Sequence, residues 1–125
     1  MRAWFASRRT RIETLRATRE LASFEDRKLQ WLLKYFDEVS LPAGTLVARE
    51  GERASEFIVV IGGRLRATAP RAGSNTLIAG DTFGWEAMWE REPNSATVVV
   101  EADARLLVMG HAQFRAVKAV ADVPA

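Results

Sequence analysis

Any chemistry in this 125-residue chain must start from a short supply of reactive groups. It has no cysteine and a single histidine, His111, directly after Gly110 at the start of a helix-compatible stretch. Nucleophilic or acid–base catalysis needs at least two groups within reach of each other. A lone histidine at a helix start is more often a surface or capping residue. Glu86, Glu90 and Glu92 cluster, but Arg91 sits among them and no second acidic cluster stands elsewhere. No HExxH, GxSxG, Walker loop or GxGxxG occurs. The residues therefore point to a non-catalytic protein.

One segment does carry a recognisable physical device. Gly80 and Gly84 bracket Asp81-Thr82-Phe83, so the backbone turns tightly twice. Residues 85–90 are good helix formers, Pro93 ends them, and Asn94-Ser95-Ala96 leads into the apolar strand that follows. A short helix whose first amides face inward, beside small residues that let a ligand approach, makes an anion cradle. A connecting helix that plugs the end of a barrel fits the same residues, with Trp85, Met88 and Trp89 as the plug.

The elements that must hold this segment can be read from periodicity. Residues 3–18 lack Gly and Pro and suit a helix, and residues 1–20 form a basic N-terminal unit. A second helix is expected after Ser23 as its cap, with Glu25 and Asp26 in the first turn. In it Leu29, Leu32, Leu33 and Phe36 fall on one stripe. From Val39 the period becomes strand-like. Phe57–Ile61 is an apolar run expected of a strand buried on both faces. Gly62-Gly63 reads as a hairpin turn into Arg64–Ala69. Ser95–Glu101 and Ala104–Met109 read as two strands broken at Ala102-Asp103, and Ala112–Val120 as a closing helix. Six to eight short strands between helices predict an α+β domain built on an antiparallel sandwich or barrel.

Composition narrows the partners. The chain is 48% hydrophobic and 27% charged, ordinary for a globular domain. Its net charge is +2, but residues 1–34 hold nine Lys/Arg against four Asp/Glu. A basic end of this kind suits nucleic acid, an acidic protein partner or a membrane surface, and a plain solvated helix fits the same residues better. A membrane-surface helix would separate its basic and apolar faces. Here Arg8, Arg9, Arg11, Arg16 and Arg19 share a half with Ile12 and Leu15, so no membrane is expected. No apolar run reaches the ~20 residues of a spanning helix, and a cytoplasmic protein is expected.

The ordered set LPAGT, REGE, FIVVIGGRL, AGDTFG and PNSATVVVEADARLLVM resembles the cyclic nucleotide-binding domain family, over roughly residues 21–120. That family includes catabolite-activator-type bacterial regulators and the regulatory subunits of cyclic-nucleotide-dependent kinases. The resemblance implies an eight-stranded antiparallel β jelly-roll barrel with helices at both ends, residues 121–125 being a tail. It also implies a phosphate-binding cassette at Phe83, Gly84, Trp85, Glu86, Ala87, Asn94, Ser95, Ala96 and Thr97. In the family a glutamate at the Trp85 position accepts hydrogen bonds from the ribose 2′-hydroxyl, and an arginine at the Asn94 position pairs with the cyclic phosphate. Each charge-assisted bond contributes about 1.5–3 kcal/mol, so losing both costs roughly two to four decades in affinity. Binding of cAMP or cGMP is expected to be lost or weak, leaving a regulatory or interaction module. The alternative is a small-ligand sensor that holds a cyclic nucleotide or another anion differently. Because the chain stops after one short helix, no DNA binding is expected.

Overall fold

The computed structural model describes residues 6–121. Helix α1 (Arg8–Arg16) begins where Ser7 Oγ accepts the Thr10 amide at 3.1 Å. It stops where the buried Thr18 hydroxyl donates to the Leu15 carbonyl and accepts the Leu21 amide. Positions 3–5 of the expected helix lie outside the described residues. Helix α2 (Asp26–Leu33) starts later than Ser23 predicts. Glu25 occupies the cap position, with no side-chain cap bond.

Strand β1 (Asp37–Leu41), β2 (Leu46–Ala48), β3 (Glu56–Ala69), β4 (Gly73–Leu77) and β5 (Thr82–Phe83) follow. Then come the short helix α3 (Trp85–Glu90), the long strand β6 (Thr97–Gly110) and α4 (His111–Ala121). They form one antiparallel six-stranded sheet in the order β1-β6-β3-β4, with β2 added on β6 and β5 on β3.

This corrects the expected eight-stranded closed barrel: among the described residues there are six strands and the sheet is not closed. The reason lies in the two breaks read as strand ends. Gly62-Gly63 is no hairpin turn. The chain runs on through it as β3, and the register against β6 shifts between Val60 and Leu65. Ala102-Asp103 lies opposite, inside a continuous β6. Both interruptions are bulges, which bend a strand without ending it. Gly63 is required there: its φ is 85°, and a Cβ would stand 2.4 Å from the Asp103 carbonyl oxygen.

The reading of Phe57–Ile61 as buried on both faces holds. Phe57 and Val59 pack among the helices with Leu15, Leu29, Leu32, Leu107, Met109, Phe114 and Val117. Ile58 and Val60 point the other way, to a cluster with Leu65, Val98, Val100 and Leu106. The two-residue strand period produces this division directly. On the open face of the sheet Arg64 and Arg66 donate to Glu101 at 3.1 and 2.7 Å. The Arg66 hydrogen bond, seconded by Arg64, holds the Glu101 carboxyl below its usual value.

Candidate functional site

The site begins with Gly84. Its φ is 101°, and a Cβ there would come 2.3 Å from the Glu56 carbonyl oxygen. A glycine is therefore needed for α3 to start hard against β3. The Gly84 carbonyl accepts the Met88 amide at 2.9 Å, and Arg91, at φ 58°, closes the helix in a left-handed conformation.

Trp85, where the family's acid would be, turns toward the helical layer. Its ring lies 5.0 Å from Phe57 and 5.3 Å from Phe114, edge to face, and stacks on Trp89 at 5.9 Å. The indole is a packing residue between α3, β3 and α4. It does not line the cleft beside Asn94.

Asn94, where the arginine would be, is buried. Its Nδ2 donates to the Arg49 carbonyl at 3.1 Å. Its backbone amide donates to Glu52 O at 2.8 Å, and its carbonyl accepts the Gly51 amide at 3.0 Å. All three bonds tie residues 49–52 to the start of β6, so the amide side chain acts as a structural clasp. The adjoining cleft is about 80 Å³, lined among others by Arg49, Glu52, Arg53, Glu56, Phe83 and Asn94. Arg49 is paired with Glu52 at 3.4 Å. Small-molecule sites run to about 300–1,000 Å³. This cleft is well below that range.

The nine expected positions thus disperse. Phe83 and Asn94 line the cleft; Trp85 and Ala87 pack on the helical core; Ala96 joins the inner cluster; Glu86 and Ser95 are exposed. Thr97 Oγ1 accepts the Glu50 amide at 3.1 Å, a second tie onto the same turn. Arg91, three residues before Asn94, faces a different cleft of about 390 Å³ between α3 and α4. That cleft also takes in Arg53, His111, Arg115 and Lys118. The sequence carried a signal for it: 111, 115 and 118 fall at i, i+4, i+7 on one helix face.

The basic N-terminal helix is largely engaged within the chain. Arg11 reaches the carboxylate of Glu38, whose side chain is 3% exposed and which also meets Arg105 and accepts the Ala6 amide. Arg16 pairs with Asp26, Arg9 with Glu13, and Arg8 donates to Gln30. Among the described residues no cluster of three His, Cys, Asp or Glu could hold a metal, and no helix is long and apolar enough to cross a membrane.

The sequence profile described as cyclic nucleotide-binding domain matches residues 38–119, more than half of the chain. The chain belongs to that family. Solved structures agree on the fold. The regulatory domain of Toxoplasma gondii PKA, crystallised with cAMP, is 21% identical with a TM-score of 0.79 over 96% of this chain and 49% of its own length. The N-terminal domain of a transcriptional regulator from Streptomyces coelicolor A3(2) is 22% identical, with a TM-score of 0.74 over 88% of this chain and 81% of its own. A cyclic nucleotide-binding-like protein from Brucella abortus is 18% identical, with a TM-score of 0.73 over 87% and 97%. The chain spans only about half the length of several of the structures it matches, 56%, 55% and 49% for three of them.

Proposed function

We propose that this chain is a non-catalytic regulatory module that keeps the cassette's frame and has lost, or greatly weakened, its grip on cAMP and cGMP. The observation that carries the reading is Asn94. It stands where the family's phosphate-pairing arginine belongs, and its amide is committed to the Arg49 carbonyl beside a cleft of about 80 Å³. Trp85 contributes ring packing to the helical layer instead of a carboxylate to a ribose. Its output is a protein contact, for which the basic N-terminal helix is the candidate face. Calorimetric titration of the chain with cAMP and with cGMP tests this. No saturable heat is expected below millimolar ligand, and micromolar or tighter binding would end the proposal.

A second reading has its own support. Arg49 and Arg53 both line the cleft beside Asn94. If they swung in, they would supply cations from the 49–53 turn in place of the missing arginine, making a sensor for a cyclic nucleotide or another anion. The same titration separates the two readings, because this one requires binding that Arg49→Ala weakens.

A further inference from the structure

The larger cleft lies outside the cassette, between α3, α4 and the turn at Arg53-Ala54. At about 390 Å³ it falls within the range of small-molecule sites. Four cationic side chains line it, Arg53, Arg91, Arg115 and Lys118, against one carboxylate, Glu92. They come from three separate elements, so no single helix face explains them. Met88 and Phe114, both buried, supply an apolar floor.

Three observations mark this as a place for a ligand. His111 Nε2 is buried and has no hydrogen-bond partner among the described residues, and a buried polar atom left in that state is costly. The side chains of Arg53, Arg91 and Arg115 make no ion pair or hydrogen bond among the described residues, whereas Arg9, Arg11, Arg64 and Arg66 are paired. Arg91 is the one non-glycine residue with positive φ among those described, and the left-handed backbone fixes where its side chain leaves α3. Lys118 is already held, its Nζ donating to Trp89 O at 2.9 Å and lying 4.5 Å from the Trp89 ring. A preset lysine beside two free guanidinium forks suits a chain of phosphates, which offers several acceptor oxygens in a row.

We infer that the α3–α4 cleft binds the di- or triphosphate group of a small molecule, with Arg91, Arg115 and Lys118 gripping the phosphates and His111 Nε2 meeting an oxygen at the back. The site is independent of cyclic-nucleotide binding at the cassette. It couples α4 to α3, so occupancy would stiffen the contact between the last helix and the sheet.

Titration of the full chain at low ionic strength with inorganic pyrophosphate and with ATP tests this. Pyrophosphate probes recognition of the phosphate chain alone, and ATP adds an organic group over Met88 and Phe114. Both are expected to saturate at sub-millimolar concentration. Arg115→Ala should weaken each by about tenfold, the scale of one charge-assisted contact. Arg91→Asn, which tolerates the left-handed backbone, should act similarly. Asn94→Ala should leave both affinities unchanged. The inference is overturned if neither probe saturates, or if the folded Arg115→Ala and Arg91→Asn proteins bind like wild type. It is equally overturned if Asn94→Ala abolishes binding, since the probe would then sit at the cassette.

Discussion

Two clefts share Arg53 and otherwise have opposite characters. The one beside Asn94 is about 80 Å³, and of the two arginines that line it, Arg49 is paired to Glu52. The one between α3 and α4 is about 390 Å³, and Arg91 and Arg115 in it are unpaired among the described residues. The difference teaches that a binding frame and a binding charge are separable. Gly84, Ala96 and the β6 run build the turn beside the small cleft, while Arg91, Arg115 and Lys118 stand at the larger one.

The comparison can be broken at several points. Gly84→Val should have the largest effect, since it forces a side chain into the Glu56 carbonyl at a φ that L-residues rarely adopt. A loss of roughly 3 kcal/mol or more is expected, read as a fall in the denaturation midpoint, with both clefts disturbed together. Trp85→Ala should cost about 3 kcal/mol through three lost ring contacts and a cavity in the helical layer. It should not enlarge the Asn94 cleft, so cAMP affinity should be unchanged in calorimetry. Asn94→Arg should raise cAMP affinity about tenfold to a hundredfold, one restored charge contact, while costing about 1 kcal/mol for the lost bond to Arg49 O. Pyrophosphate affinity at the α3–α4 cleft should be unaffected by it.

The smallest effect lies away from both clefts. Glu101 has its carboxyl held below the usual value by Arg66 and Arg64. The folded chain therefore binds that proton less readily than the unfolded chain. The stability this supplies is present above the ordinary carboxylate range and is lost as pH falls through the lowered value. Denaturation midpoints measured between neutral and acid pH should fall slightly less steeply for Glu101→Gln.

Much of this was legible in the sequence because it rested on short-range rules. The Phe57–Ile61 run announced a strand buried on both faces, and the family pattern placed the cassette turn at Gly84 with residues 85–90 helical. The strand count failed at Gly62-Gly63 and Ala102-Asp103. Locally, a glycine pair can be a hairpin turn or a bulge, and only the cross-strand partner decides between them. Trp85 was read as one of three residues able to plug the end of a barrel. Its true direction depends on Phe57 and Phe114, which lie 28 residues before it and 29 after. Glu38 gave no sign of its role, since its partners Arg11 and Arg105 are brought to it by the fold alone. The α3–α4 cleft was half legible: His111, Arg115 and Lys118 mark one helix face, but Arg53 and Arg91 join them only in three dimensions.

The central claim is that the cassette keeps its shape without its grip. Amide chemical shifts of Gly84, Asn94, Ser95 and Ala96, followed by NMR while cAMP is added to millimolar concentration, test it most directly. The account predicts a fully folded spectrum in which these four amides show no saturable shift. Saturation at all four in the micromolar range would contradict it.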